Sequence, residues 1–567
     1  MTLSASTFDA SHHHYVGMNH SWLNKAFYIT QYKSIGTSVK EPDFEVAPTD
    51  FHDQRNGCTY GEVLLRGLRR RTSETALVWD NGRLTYRELR DEISRMIQAL
   101  RSLGLRRGDG FAVLLGNQPE AVIVLAASVL LGLRHTPLHP LASPEDDDFI
   151  IQDAGISTLL VDAQRYPERT RAAASATALK RILTVSAFDI GVDISALADR
   201  YAPAPLVSAA AHGDPAHVFY TGGTTGRPKG VVISQRSMVE QAVSCAAEWE
   251  WPAAVRFLVA TPLSHASGLL VVPVLLKGGT VFLTESFNAG TFCRMVREYE
   301  ITISLLVPTM IYRILELGPD VDTSMPSLEV LAYGGSPILP GRLAEAIDRF
   351  GSIFMQTYGQ TESPIALCVL PRRDHESARR RESCGYPMAG TEIQVLDDVG
   401  LEVAIGTVGE ICVRGPLVMD GYWNQPAETA RALRGGWLHT GDLAKMDDDG
   451  YFYIVGRSKD LIITGGFNVY PREVEDALSS HPSVAMAAVI GIPHDGWGEA
   501  VHGFVVLRSE SAATAEELIE HVRRWKGPIH APKTIEIRET LPVTANGKPD
   551  KRALRSEPWS GRLRQVN

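Results

Sequence analysis

Apolar positions along this chain fall into two spacings. Between residues 84 and 103 they recur every third or fourth position, which predicts an amphipathic helix. Residues 111–115 form instead a short unbroken apolar run, as expected of a strand buried on both faces. Similar runs follow at 158–161, 182–185, 218–220, 257–260, 303–307 and 330–333, most of them separated by helix-like stretches. Strand and helix in alternation predict parallel sheets covered by helices. The longest apolar run, 121–133, is shorter than the ~20 residues that cross a bilayer and predicts a buried helix, with no transmembrane segment.

The texture changes after about residue 385. Runs at 393–396 and 409–413 are β-rich with glycine turns, like a small barrel or antiparallel sheet. A second change comes at residues 456–460. Beyond it the pattern reads helix 471–480, strand 484–490, strand 502–507, helix 515–525, strand 534–537, with Pro471 suited to a first helical turn. The opening residues lack periodicity, although Trp22, Phe27 and Tyr28 suit an arm that docks. The expected organisation is an arm at 1–50, a large domain at 51–456, a hinge at 457–460 and a small domain at 461–567.

Composition narrows the class. At 567 residues the chain is too long for one core. With 44% hydrophobic and 22% charged residues it is ordinary for a globular protein. The net charge of −10 argues against a broad nucleic-acid-binding surface. Six cysteines show no paired or zinc-like spacing and read as reduced thiols, which suits the cytoplasm. There is no apolar signal core near the start, and His12–His14 reads as a solvated tail. Nothing sets an oligomeric state.

The densest chemistry is Tyr220-Thr-Gly-Gly-Thr-Thr-Gly-Arg-Pro-Lys-Gly230, which follows an apolar strand. Gly222, Gly223 and Gly226 let the backbone curl so that several N–H groups converge on one anion. Thr221, Thr224 and Thr225 add hydroxyl donors, and Lys229 adds a mobile charge. The set fits a polyphosphate. It is not a Walker A loop, because Gly230 follows the lysine where that motif places Ser or Thr.

This loop resembles the phosphate loop of the adenylate-forming superfamily: acyl-CoA synthetases, peptide-synthetase adenylation domains and luciferases. Four further segments match in the expected order. They are Tyr358-Gly-Gln-Thr-Glu362, His439-Thr-Gly-Asp442, Gly456-Arg-Ser-Lys-Asp460 with Gly465 and Gly466, and Pro542-Val-Thr-Ala-Asn-Gly-Lys548. Each is short, but together they span about residues 60–555. The resemblance implies an α/β fold. Its large N-terminal domain would hold parallel, helix-flanked sheets plus a small β-barrel-like part, and its small α+β C-terminal domain would be mobile.

It also implies an AMP-forming acid–thiol ligase that uses ATP, Mg2+ and coenzyme A. Tyr358 and Gly359 would face adenine, with Gly334, Gly335, Ser336 and Pro337 as the adenine-pocket turn. Thr361 would donate to the α-phosphate, and Glu362 would hold Mg2+. Asp442 would hold the ribose, and Arg457 the same ribose or a phosphate. Taken singly, Tyr358 reads as a core residue and Asp442 as a turn residue. Lys548 would swing in to bridge carboxylate and α-phosphate, and Lys459 would be the hinge.

His265 matches the family's gate between acyl pocket and thiol tunnel; its alternative reading is a capping or core histidine. The acyl pocket is expected from His265, Ser267, Leu269, Val307, Tyr333 and Gly335. It is mostly apolar and has no acidic partner for an α-amino group. An aromatic or short-to-medium aliphatic acid fits. Gly465 and Gly466 would pass a pantetheine arm, and Trp497 and Lys533 match positions near the nucleotide of coenzyme A, though Trp497 also reads as core. One departure stands out: many relatives carry Tyr-Lys where this chain has Ile529-His530, so a cation is missing. Open alternatives are a carrier-protein phosphopantetheine as acceptor, an oxyanion such as nitrite as substrate, or a non-catalytic ATP-binding paralogue.

Overall fold

A computed structural model describes residues 57–175, 178–221, 228–508, 511–543, 549–556 and 558–559. The chain divides into two units, Met1–Arg55 and Asn56–Asn567, and the described residues belong to the second. The expected arm, the loop residues Gly222, Gly223, Thr224, Thr225 and Gly226, and Lys548 lie outside the described residues.

The helix expected at 84–103 is Tyr86–Ser102. It starts at a reciprocal cap in which Thr85 and Glu88 each accept the other's backbone N–H, and it buries Tyr86, Leu89, Ile93, Met96, Ile97 and Leu100 along one stripe. The apolar run at 121–133 is the helix Pro119–Leu131, buried on nearly all sides and stopped by Gly132 in the left-handed region at φ +71°. No helix among the described residues is long and apolar enough to cross a membrane.

Among the described residues the strands form sheets of nine, eight, four and five strands. The two large sheets are parallel at their centres, as the alternating pattern predicts. Each also carries antiparallel pairs towards one or both edges, which makes them mixed. In one, Pro215–Thr221 pairs antiparallel with Lys229–Ser234. In the other, Phe354–Gln360 pairs antiparallel with Ser363–Leu370. The strands of each pair are consecutive in the chain, with too few residues between them for the crossover that parallel strands require. The smaller β-rich part is a four-stranded antiparallel sheet, Glu392–Leu396, Gly409–Arg414, Leu438–Met446 and Phe452–Arg457. Its strand order is linear, so it is an open sheet and not a barrel.

One hydrophobic cluster runs from Tyr60 to Phe452. A separate one, including Ile462, Val474, Val489, Val501 and Leu518, belongs to the C-terminal segment and its five-stranded sheet. This α+β part meets the larger one through two arginines. Arg472 Nη2 donates to the Ile338 carbonyl at 2.6 Å, and Arg508 Nη1 to Glu345 Oε2 at 3.2 Å.

Candidate active site

Two sheets converge on one group of side chains. Tyr358 comes from the nine-stranded sheet and Asp442 from the four-stranded one, and Tyr358 Oη donates to Asp442 Oδ2 at 2.7 Å. Arg457 stands opposite Asp442 in the strand pairing and donates from Nε to Oδ1 at 3.1 Å. The Asp442 charge raises the Arg457 guanidinium above its usual range. Both Asp442 oxygens are thus engaged, one of them by a phenol whose ring can face a nucleobase.

The turn carrying Asp442 has a brace that sequence reading missed. Gly441 sits at φ +73°, and its N–H donates to Glu410 Oε1 at 2.8 Å. Glu410 Oε2 lies 2.7 Å from His439 Nδ1 and accepts from Arg434 Nη2 at 3.0 Å. Cys412 joins this group, its Sγ 3.3 Å from the same His439 nitrogen. Three metal-ligand types therefore do gather, although no cysteine–histidine spacing suggested it. Arg434 on the carboxylate and Gly441 on its other oxygen make the group a hydrogen-bonded support beneath Asp442.

Beside the expected phosphate loop, Thr221 and Lys229 face each other at the ends of the strands that flank it. Lys229 Nζ lies 2.5 Å from Glu428 Oε2 and 5.2 Å from the centre of the Tyr422 ring. Tyr422 Oη donates to Glu362 Oε1 at 2.8 Å. Burial first, and the Glu362 charge second, push the Tyr422 phenol far above its ordinary value, so it remains a donor. Glu362 fits a Mg2+ site of the kind in which one carboxylate joins substrate phosphates. Thr361 lies beside it in the turn between Phe354–Gln360 and Ser363–Leu370.

The expected adenine turn follows the strand Val330–Gly334. A side chain at Gly334 would put its Cβ 2.4 Å from the Thr357 carbonyl oxygen, and Gly335 holds φ +77°, so Gly334, Gly335, Ser336 and Pro337 trace a path open only to glycine at its start. A Cβ on Gly335 would come 3.8 Å from Val307 Cγ1, which brings those two acyl-pocket candidates together. Gly359 is equally tight, with Ile365 N at 2.5 Å from its would-be Cβ. Tyr333 is different. Its side chain is fully buried, with its hydroxyl on Gln356 and His375, so any part it takes in a pocket passes through its backbone.

His265 occupies the position before the helix Ala266–Leu276 without a capping side-chain hydrogen bond. Its Nδ1 lies 3.0 Å from Ser264 Oγ, and burial, with His139 adding a smaller effect, pushes its pKa down to about 3. Ser267 is wholly buried against Thr261, Oγ to Oγ1 at 2.5 Å, while Leu269 is half-buried.

In the C-terminal part, Gly465 and Gly466 form the turn between Ile462–Thr464 and Phe467–Val469, at φ +57° and +83°. That pair of angles is what a tight hairpin turn demands and what glycine supplies. Gly465 N–H donates to the Trp497 carbonyl at 2.9 Å, and Lys533 Nζ lies 4.9 Å from the Trp497 ring centre. Trp497 is 42% exposed, which makes it a surface platform and not a core residue. His494 stacks on it at 4.2 Å, a partner sequence reading missed. His530 lies 3.4 Å from Glu473. Lys459 lies in the short turn Ser458–Asp460 after Arg457, and burial, reinforced by the Arg457 charge, lowers its pKa.

The model of the AMP-binding enzyme family matches residues 64–423, and that of the AMP-binding enzyme C-terminal domain matches 473–548. The chain belongs to the AMP-binding enzyme family. It is an enzyme of the adenylate-forming superfamily, placed among the AMP-forming acyl-CoA synthetases. It is 44% identical over 522 residues to a medium/long-chain-fatty-acid–CoA ligase, FadD8, of Mycobacterium tuberculosis, covering 89% of this chain and 91% of the relative. It is 36% identical over 490 residues to a feruloyl-CoA synthase of an Amycolatopsis species, covering 86% of this chain and 96% of that one. Among solved structures it resembles the amide bond synthetase McbA from Marinactinospora thermotolerans, with a TM-score of 0.81 and 31% identity, covering 88% of this chain and 99% of that one.

Two further residues of this AMP-binding enzyme, Tyr422 and Glu428, escaped sequence reading. Tyr422 reaches the site because the two-residue strand Gly421–Tyr422 pairs with Lys229–Ser234, setting Tyr422 opposite Val231. The only sequence signal was the aromatic pair at 422–423 before a Pro-capped helix, which by itself points to packing.

Proposed function

We propose that this enzyme activates an apolar carboxylic acid, aromatic or short-to-medium aliphatic, as an acyl-adenylate with release of pyrophosphate. It then transfers the acyl group to coenzyme A, giving an acyl-CoA and AMP. The observation that carries this reading is the Tyr358–Asp442–Arg457 unit, which assembles three separate motifs into one ribose-facing carboxylate with fixed donors.

Asp442 accepts from both ribose hydroxyls through the lone pairs that Tyr358 and Arg457 leave free, and Tyr358 offers a face to adenine. Thr361 donates to the α-phosphate. Lys229 meets the phosphates that leave. Mg2+, which Glu362 would hold, supplies neutralising charge to the departing pyrophosphate. Lys548 bridges the attacking carboxylate and the α-phosphate, where two negative groups must approach in line. The acid lies against Val307 and Gly335, and the mostly apolar lining disfavours an amino acid. His265 gates the thiol path, and Lys459 is the hinge between an adenylating and a thiol-transferring arrangement of residues 461–567.

The exposed Trp497 with Lys533 above it and the Gly465–Gly466 turn beside it supports coenzyme A as acceptor. A second reading, a carrier-protein phosphopantetheine, is favoured by His530, which faces Glu473 where a nucleotide phosphate would need a cation. The test is a panel of carboxylic acids incubated with ATP and Mg2+, with coenzyme A, a phosphopantetheinylated carrier protein or neither, followed by AMP assay and product mass spectrometry. The expected product is an acyl-CoA. Thioester on the carrier protein alone would replace the acceptor, and ADP in place of AMP would overturn the chemistry.

A further inference from the structure

Four histidines gather beside the candidate gate, and the chemistry above uses only one. His135 and His217 are direct neighbours where the strand Arg134–Pro137 pairs with Pro215–Thr221, and their rings meet edge to face at 5.3 Å. His139, just past the first strand, meets His265 in the same way at 4.6 Å. A small internal cavity of about 20 Å³ lies against His135, His217, His265, Phe219, Leu263 and Leu269. That is room for about one water-sized group.

His217 is the anomaly. It is 3% exposed and stacks on Phe219 at 4.8 Å, yet neither ring nitrogen has a hydrogen-bond partner among the described residues. A buried polar group left without a partner is costly, so a native structure that keeps one has something to satisfy it. His135 is fixed in one tautomer. Ser128 Oγ donates to the Val124 carbonyl at 2.7 Å and so accepts from His135 Nδ1–H at 3.2 Å, which leaves Nε2 as an acceptor. Burial lowers the pKa of His135 to about 4, that of His265 to about 3, and that of His217 well below its usual value. All three are neutral at pH 7, each with one donor and one acceptor nitrogen. Neutral imidazoles offer an anion no charge, and a cation would stand unpaired in apolar walls. A hydroxyl suits them, since it donates and accepts at once.

We propose that this cavity binds a neutral hydroxyl group carried by the acyl substrate, with His217 as its main partner, and so selects hydroxylated apolar acids over their deoxy counterparts. The inference rests on the proposed function and on the expected acyl-pocket residues His265 and Leu269, which also wall the cavity.

The test compares matched acids with and without a distal hydroxyl, 4-hydroxycinnamate against cinnamate and ω-hydroxy against plain fatty acids of several lengths. The readout is kcat/KM for acid-dependent AMP formation in the wild type, His217→Phe and His217→Gln, with melting temperatures to confirm folding. At least one pair should favour the hydroxylated acid by about tenfold in the wild type. His217→Phe should bring that ratio towards one, and His217→Gln, which keeps a donor and an acceptor, should restore part of it. If no wild-type pair shows a preference, the inference is wrong whether or not the variants fold. It is equally wrong if His217→Phe keeps the preference. If the wild type activates no acid at all, the proposed function fails first and takes this inference with it.

Discussion

Lys229 Nζ lies 2.5 Å from Glu428 Oε2, and Arg431 holds the other oxygen of the same carboxylate at 3.0 Å. The lysine expected to meet ATP phosphates is therefore held by a carboxylate, and phosphate must compete for it. Glu428→Gln removes the competing charge and keeps the shape. ATP binding, measured by calorimetry without acid, should tighten by up to about fivefold, the most a partly exposed ion pair is worth. Weaker ATP binding in this variant would mean that Glu428 positions Lys229 and does not compete for it.

Tyr358→Phe should separate the two roles given to this residue. The ring face remains, while Asp442 loses the 2.7 Å bond and keeps Arg457. A hydrogen bond to a charged group contributes about 1.5–3 kcal/mol, so KM for ATP should rise by about tenfold or more while KM for the acid stays put. An equal rise in both constants would show that the hydroxyl orders the whole site.

The hinge reading sets two lysines against each other. Lys548→Ala should slow adenylation by about 10²–10³-fold, as for loss of one transition-state donor, yet still convert supplied acyl-adenylate to thioester. Lys459→Pro should do the reverse, because proline fixes φ near about −65° and removes an N–H. Single-turnover kinetics of each half-reaction would show this. Equal loss of both halves in both folded variants would rule out domain alternation.

Acid should destabilise this protein through its buried histidines. Burial puts His135 and His375 at about 4 and His265 at about 3, below the ordinary value of 6.5. The unfolded chain then binds more protons than the folded one between those limits. Stability is therefore greatest above pH 6.5 and falls as pH drops, by about 1.4 kcal/mol per unit for each group. Melting temperature should decline steeply from pH 7 to pH 5, and His375→Gln should flatten the slope. A flat profile would contradict the buried, neutral assignment.

Much of the candidate site was legible because its residues lie in short local motifs. Tyr358, Glu362, Asp442 and Arg457 could each be named from neighbours in sequence. What stayed hidden depends on pairing between distant strands. His217 meets His135 only because two strands 82 residues apart are adjacent, and Tyr422 meets Glu362 only because Gly421–Tyr422 joins a sheet edge. The mixed sheets were misjudged for a related reason: apolar runs reveal buried strands but not their direction. Tyr333 was misjudged because its place beside a motif glycine suggested a pocket, while its side chain points into the core against Phe354 and His375.

The central claim is that this enzyme makes an acyl-adenylate by attack at the α-phosphate. It is tested most directly by ATP–pyrophosphate exchange with an acid that supports turnover and no coenzyme A present. The account predicts exchange of labelled pyrophosphate into ATP that depends on the acid and is abolished by Asp442→Ala, with no ADP formed. Exchange that proceeds without acid, or phosphate and ADP in place of pyrophosphate and AMP, would contradict it.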